Sequence, residues 1–121
     1  MKRILTVDDS KTILAMLSAT LSNAGFETIQ AEDGLEGLEV LDGCDPDVIV
    51  TDINMPRLDG FGFIEGVRSD EKYRAIPILV LTTESDAEKK NRARQIGATG
   101  WIVKPFDPGK LIAAIERVTA A

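Results

Sequence analysis

Residues 48–52 read Val-Ile-Val-Thr-Asp: four β-branched residues in succession, followed at once by a carboxylate. An apolar run without polar alternation is typical of a strand buried on both faces of a parallel sheet. Similar runs occupy residues 4–7, 78–81 and 101–103, and each also stops at a polar residue. Because ligands bind at the carboxyl ends of the strands in such sheets, the residues that stop these runs are expected to share one edge.

The residues that end the four runs differ in their chemistry. They comprise three carboxylates, a hydroxyl group and an ammonium group, which can together hold a divalent cation and a phosphoryl group. In chain order they are Asp8 and Asp9, Asp52, Thr82 followed by Thr83, and Lys104 followed by Pro105.

Hydrophobic periodicity predicts five strands that alternate with five helices, joined by short loops. The strands are expected at residues 3–7, 26–31, 48–51, 77–82 and 100–103, and the helices at 11–24, 34–41, 61–69, 86–96 and 108–119. This alternation is typical of the α/β class with a doubly wound, five-stranded parallel sheet. We expect the flavodoxin-like (βα)5 arrangement with strand order 2-1-3-4-5, which is one of the two common orders.

Length and composition limit the classes of protein that fit. The chain has 121 residues, which predicts a single domain over residues 1–121. Its net charge of −6 argues against nucleic acid or an anionic membrane as a partner. No apolar stretch approaches the roughly 20 residues of a membrane span, and the first residues do not resemble a signal peptide. The single cysteine, Cys44, fits a reducing compartment, so we expect a cytoplasmic protein, and a monomer.

The predicted strand order places Asp8, Asp9 and Asp52 in one cleft, because strands 1 and 3 are then neighbours about 4.8 Å apart. Two carboxylates about 4 Å apart repel each other by about 4 kcal/mol at an effective dielectric constant near 20. The cluster therefore needs a cation, and ligands that are all oxygen favour Mg²⁺ over zinc or copper.

Lys104 and Thr82 are predicted to face the same cleft from the other side. Strand 5 lies two strand spacings, roughly 10 Å, from strand 3, and a lysine side chain can span that distance to meet a phosphate on Asp52. Strand 4 lies between them, so the Thr82 hydroxyl can donate a hydrogen bond to the same phosphate.

These residues together resemble a known family. Asp8-Asp9, Asp52-Ile53-Asn54-Met55-Pro56 with Asp59-Gly60, Thr82, and Lys104-Pro105-Phe106 are similar to the motifs of the bacterial response-regulator receiver domain. The resemblance runs from Ile4 to Val118, essentially the whole chain. With no output domain expected after residue 119, the chain is most similar to the single-domain chemotaxis regulators of that family.

The resemblance implies a role for each residue of the cleft. Asp52 is the phospho-acceptor, and it binds Mg²⁺ directly together with Asp9 and the backbone carbonyl of Asn54. Asp8 contributes to the metal site through water, and Lys104 pairs with the phosphoryl oxygens. The Lys104–Pro105 bond is a candidate cis peptide.

The resemblance also implies switch and tuning residues. Thr82 is the switch hydroxyl, chosen over Thr83 because alternation along a strand lets only one of them face the phosphate. Trp101 stands where relatives usually carry Tyr, Phe or His as the switch aromatic, so it is either the switch or a packed strand residue. Asn54 and Glu84 occupy the positions that tune the lifetime of the acyl phosphate.

The helix predicted at residues 86–96 is basic, although the protein as a whole is acidic. Few of its residues suit a core, which indicates a movable element. We expect an acidic partner to dock there, and a solvated helix face is the alternative. The predicted partner surface comprises Lys89, Lys90, Arg92, Arg94 and Trp101.

The function that this resemblance implies is a phosphorylation-activated switch of a two-component system. The chain has no histidine, so a separate histidine kinase must donate the phosphoryl group. The implied target is the flagellar motor switch protein, and a phosphatase is a further candidate partner. No enzymatic activity is expected beyond self-catalysed phosphotransfer and dephosphorylation.

The alternative function is that of a phosphate sink or relay intermediate. An Mg²⁺-dependent phosphatase of the haloacid dehalogenase type fits less well, because Asp8 and Asp9 are adjacent rather than separated, and a flavodoxin would need a hydroxyl-rich loop there.

Overall fold

The computed structural model describes residues 1–120, so Ala121, the last residue of the predicted domain, lies outside the described residues. The strands are β1 (Arg3–Val7), β2 (Glu27–Ala31), β3 (Val48–Thr51), β4 (Ile78–Thr82) and β5 (Gly100–Val103). The helices are α1 (Lys11–Asn23), α2 (Gly34–Cys44), α3 (Gly60–Arg68), α4 (Ala87–Ile96) and α5 (Pro108–Thr119). A 3₁₀ turn at Glu71–Tyr73, which periodicity did not predict, follows α3.

The strands form one parallel sheet in the order β2-β1-β3-β4-β5, which confirms the predicted class and strand order. In this register Val7 of β1 pairs with Thr51 of β3, so Asp8 and Asp52 leave the sheet at the same level. From β1 the strand order runs to β2 on one side and to β3 on the other, so the connections leave the β1–β3 pair in opposite directions. In such folds ligands bind in the crevice that this creates at the carboxyl ends of the two strands.

Each face of the sheet has its own apolar core, because side chains alternate along the buried strands. Ile49 points into the core beneath α2, α3 and α4, whereas Val48 and Val50 point into the core beneath α1 and α5. Phe63 of α3 and Leu111 of α5 are fully buried on the two sides. Because apolar residues bury both faces of the central strands, a ligand can reach these strands at their ends.

The helix boundaries agree with the predictions to within one residue, except at the end of α2. Each of the five helices is preceded by an N-cap residue whose side chain accepts a hydrogen bond from a first-turn backbone N–H. These N-cap residues are Ser10, Asp33, Asp59, Asp86 and Asp107. The predicted end of α2 at residue 41 is wrong, because the helix continues to Cys44 and ends at Asp45 in left-handed backbone. Leu35 had the spacing of a core residue, yet it lies in the first turn and is 39% exposed.

The glycines of α3 are explained by contacts inside the protein. A Cβ atom on Gly60 would lie 2.2 Å from the backbone oxygen of Asp52 and 2.7 Å from the Cα of Ile53. A Cβ atom on Gly62 would approach the side chain of Leu58, and one on Gly66 that of Leu38. The third helix therefore packs closely against the residue that follows β3, and this close approach helps to hold Asp52 in place.

We expect Gly60→Ala to lower the free energy of unfolding by about 1–3 kcal/mol, because the new methyl group would overlap backbone atoms that cannot move independently. Gly43→Ala is the matched control: this α2 position has nothing within 4 Å of a Cβ atom. The control should raise the free energy of unfolding by about 0.5–1 kcal/mol through its helix propensity. Urea denaturation of the two variants measures both values, and equal stabilities would contradict the close approach.

Candidate functional site

An acidic cluster lies at the carboxyl edge of the sheet, where β1 and β3 end. Asp8, Asp9 and Asp52 each offer one carboxylate oxygen, and these three oxygens lie within 4.8 Å of one another. Asp8 is only 2% exposed and Asp52 8%, whereas Asp9 is exposed. The structure therefore assembles the three acids that the sequence placed there, with two of them in surroundings that screen charge poorly.

Lys104 crosses from β5 to this cluster. Its Nζ lies 2.8 Å from Asp52 Oδ2 and 2.8 Å from Asp8 Oδ2. Its backbone N–H donates to the carbonyl of Thr82 at 2.7 Å, which fixes the start of the loop after β5. The Lys104–Pro105 bond is cis, as expected. The sequence predicted that Lys104 reaches Asp52, but it did not predict the second hydrogen bond, to Asp8.

The cluster is short of positive charge, with one ammonium group against three carboxylates. Burial raises the pKa of Asp8, even though the bonds from Lys104 and from the Ser10 backbone N–H favour its ionised form. Burial by itself would lower the pKa of Lys104, but the hydrogen bonds to Asp52 and Asp8 raise it above its usual value. The site therefore favours the charged form of Lys104, whereas ionising Asp8 carries a cost that a further cation would relieve.

Both oxygens of Asp52 are held by hydrogen bonds. Oδ1 accepts from the backbone N–H of Ile53 at 2.6 Å, and Oδ2 accepts from Lys104. The hydroxyl of Thr51 donates to the Asp52 carbonyl at 2.9 Å. The carboxylate therefore has a defined orientation in the crevice, which is a requirement for a nucleophile that must meet its substrate in line.

The two threonines after β4 have different surroundings. Thr82 is fully buried, and its hydroxyl accepts from the backbone N–H of Glu84 at 3.3 Å, whereas Thr83 is exposed. Of the two threonines, Thr82 is therefore the one whose side chain is buried, as alternation along the strand predicts for one of them.

Glu84 joins the crevice to α4, a connection that sequence reasoning missed. Its Oε1 accepts from Asn54 Nδ2 at 3.0 Å and lies 3.1 Å from Lys89 Nζ. The bonds from Asn54 and then Lys89 lower the pKa of the Glu84 carboxyl. The indole N–H of Trp101 donates to the Glu84 backbone carbonyl at 3.0 Å. Periodicity carries no signal for such contacts, because they link two loops, a helix and a strand that are far apart along the chain.

The predicted partner surface divides into two parts. Lys89 pairs with Glu84, and the Arg92 guanidinium lies 4.1 Å from the centre of the Phe61 ring, so both already contact the protein itself. Lys90 and Arg94 instead line an open groove beside Trp101, with a volume of about 110 Å³. Only Ala93 of α4 is buried, which agrees with the few core contacts expected for this helix.

The chain is similar to known proteins over nearly its whole length. The family model of the response regulator receiver domain matches residues 4–116. The chain belongs to the response regulator receiver domain family. It is 40% identical over 118 residues to the chemotaxis protein CheY1 of Helicobacter pylori, covering 96% of this chain and 95% of that protein.

Solved receiver structures show the same likeness. CheY4 of Vibrio cholerae superposes with a TM-score of 0.93 at 47% identity, over 98% of each chain. The receiver domain of the sensor histidine kinase PA1611 from Pseudomonas aeruginosa superposes with a TM-score of 0.91 at 25% identity, over 99% of this chain and 98% of that one. That relative has a magnesium ion coordinated in its active-site cleft. Among residues 1–120, no helix of this chain is both long and apolar enough to cross a membrane.

Without Mg²⁺, Asp8→Asn should melt several degrees above the wild type, because it removes a buried negative charge and leaves Lys104 its partner Asp52. In a domain of this size about 1 kcal/mol corresponds to roughly 4 °C. Glu116→Gln, at an exposed position on α5, changes the net charge equally and is the control. Added Mg²⁺ should raise the melting temperature of the wild type and the control more than that of Asp8→Asn. Identical melting of all three proteins without Mg²⁺ would show that the cluster is not strained by its charge.

Proposed function

We propose that this protein is a phosphorylation-activated signalling switch of a two-component system, in which Asp52 accepts a phosphoryl group from a histidine kinase. The observation that carries the proposal is the contact of the Lys104 ammonium group with both Asp8 and Asp52, 2.8 Å from each. This contact places the buried and oriented carboxylate of Asp52 beside the Lys104 cation, and Asp8 and Asp9 lie in the same cluster. Membership of the receiver family supports the same assignment.

The residues of the cluster fit Mg²⁺. They supply hard oxygen ligands within 4.8 Å of one another, and the excess of negative charge favours a divalent cation. Asp9, Asp52 and the backbone carbonyl of Asn54 would hold the ion directly, with Asp8 acting through water. The magnesium ion in the cleft of the PA1611 receiver domain supports this choice. When bound, Mg²⁺ neutralises charge on the oxygens of the phosphoryl group.

The proposed transfer is an in-line displacement. A carboxylate oxygen of Asp52 attacks the phosphorus of a phosphohistidine on the kinase. A phosphorus–oxygen bond forms while the phosphorus–nitrogen bond breaks, and the imidazole leaves with its electron pair. Lys104 is within reach of the transferred oxygens, whose charge it stabilises as a point cation. Asn54 and Glu84, which are joined by a hydrogen bond of 3.0 Å, would tune attack by water on the acyl phosphate.

The proposed signal runs from the phosphate to α4. The Thr82 hydroxyl moves to the phosphoryl group and releases its bond with the Glu84 backbone N–H. Because Glu84 also binds Lys89 and Trp101, that movement reaches the α4 surface. An acidic partner then docks on the surface of Lys89, Lys90, Arg92, Arg94 and Trp101. The chemotaxis relatives favour the flagellar motor switch protein as that partner, with the chain acting as a single receiver domain in the cytoplasm.

Asp52 should be the sole phosphorylation site. Treatment with a small phosphodonor and Mg²⁺ should add one phosphoryl group, sensitive to hydroxylamine as an acyl phosphate is, and peptide mapping should place it on Asp52. Asp52→Asn keeps the shape of the side chain but removes the nucleophile, so the label should be lost. A label on Ser10 or Thr82, or an undiminished label in Asp52→Asn, would contradict the proposal.

Trp101 should report the switch by fluorescence. It is the only tryptophan, and its indole is bonded to the Glu84 carbonyl beside Thr82. Emission should change on phosphorylation or with a beryllofluoride mimic, and less with Mg²⁺ alone. The change should disappear in Thr82→Ala and persist in Thr83→Ala, the exposed neighbour that serves as control. An unaltered spectrum in fully phosphorylated protein would mean that Trp101 is a packed strand residue.

The target is tested by binding. Immobilised protein, with and without the beryllofluoride mimic, is exposed to the purified flagellar motor switch protein. The proposal expects retention only with the mimic, and weaker retention when Lys90 and Arg94 are both changed to Glu. Rapid phosphotransfer from a kinase without any such retention would instead identify a phosphate sink.

A further inference from the structure

The loop between β3 and α3 contains a residue in an uncommon conformation. Arg57 has φ of +65°, in the left-handed region that residues with a side chain seldom adopt. Such backbone persists when the surrounding contacts over-determine it. The contacts of Arg57 therefore indicate what this loop conformation is for.

The side chain of Arg57 forms an ion pair with Asp33, the N-cap residue of α2. Its Nε donates to Asp33 Oδ2 at 2.8 Å and its Nη2 donates to Asp33 Oδ1 at 3.1 Å, a two-pronged pairing with fixed geometry. Asp33 Oδ1 also accepts from the backbone N–H of Glu36 at 2.9 Å, so the carboxylate is already held by α2. The bond from Arg57 and that from Glu36 lower the pKa of Asp33, which keeps the pair ionised at neutral pH.

A backbone contact joins the same two segments. The N–H of Gly34 donates to the carbonyl of Leu58 at 3.0 Å. A Cβ atom on Gly34 would lie 2.5 Å from that carbonyl oxygen, so the approach requires glycine. The later part of the loop is thus docked on the first turn of α2 by an ion pair and by a backbone hydrogen bond.

The earlier part of the loop is anchored to the sheet. The backbone N–H of Ile53 donates to Asp52 Oδ1 at 2.6 Å, and the N–H of Gly60 donates to the Ile53 carbonyl at 2.8 Å. Asn54 lies between this anchor and the one at Arg57. Its backbone carbonyl therefore belongs to a segment that is held at two points, one on either side.

We propose that Arg57 and Asp33 are a positioning pair for the metal site, which hold the loop so that the carbonyl of Asn54 faces the acidic cluster. The inference rests on the proposed function, in which that carbonyl binds Mg²⁺. Neither residue is expected to touch the ion or the phosphoryl group. Mg²⁺ demands near-ideal octahedral geometry, so a small rotation of one ligand weakens its binding.

The test compares Mg²⁺ affinity with stability in a set of variants at Arg57 and Asp33. Arg57→Gly removes the fork while easing the left-handed backbone, because glycine adopts it freely. Arg57→Lys keeps the charge without the fork. Asp33→Asn removes the charge but retains an oxygen that can cap α2. Arg74→Lys and Glu71→Gln change an exposed ion pair beyond α3 and are the controls.

Calorimetric titration with MgCl₂, well below the melting temperature, should show Kd raised about two- to fivefold in Arg57→Gly and in Asp33→Asn, the range expected from pairs of this exposure. The double variant should be no worse than either single one, because the two residues act together. Arg57→Lys should fall between the wild type and Arg57→Gly. Both controls should bind Mg²⁺ as the wild type does.

Unfolding by urea without Mg²⁺ separates positioning from simple stabilisation. Unchanged Kd in the Arg57 and Asp33 variants, with or without a loss of stability, would overturn the inference while leaving the proposed function intact. Failure of the wild type itself to bind Mg²⁺ at millimolar concentration would overturn both. Should Asp33→Asn fail to fold, the Kd values of Arg57→Gly and Arg57→Lys decide the matter.

Discussion

The contact of one largely buried ammonium group with two buried carboxylates is the interaction on which the rest of this structure depends. Lys104 is 2.8 Å from both Asp8 and Asp52, and without it these acids would face each other almost unscreened at the edge of the sheet. It compensates only part of the charge, since Asp9 joins the same cluster. The cluster therefore carries an excess of negative charge, which the proposed Mg²⁺ would offset.

The surrounding elements hold this imbalance in one geometry. Gly60 lets α3 approach the backbone of Asp52, and the Arg57–Asp33 pair holds the following loop on α2. On the opposite side Glu84 connects the crevice to Trp101 and Lys89. The first side is tightly packed, whereas α4 buries only one residue. This asymmetry suits the proposed switch, in which the packed side holds the acidic cluster and the α4 side responds to phosphorylation.

The sequence was informative wherever periodicity or residue type acts locally. Buried strands on a two-sided sheet produce uninterrupted apolar runs, so the strands and the acids at their ends could be located directly. Prediction was weaker where tertiary contacts override local preference. Leu35 has the spacing of a core residue but is 39% exposed, and α2 continued past its predicted end to bury Cys44. The three-residue turn at Glu71–Tyr73 is too short for any periodic signal.

The sequence by itself determined the class of fold, the edge of the sheet that carries the chemistry and the residue types present there, because these follow from the order of apolar and polar residues along the chain. Only the tertiary structure decided which groups touch. In the structure Lys104 is hydrogen-bonded to Asp8, Arg57 to Asp33, and Asn54 to Glu84. These contacts connect residues from 24 to 96 positions apart, and their geometry depends on how the loops pack rather than on any local pattern.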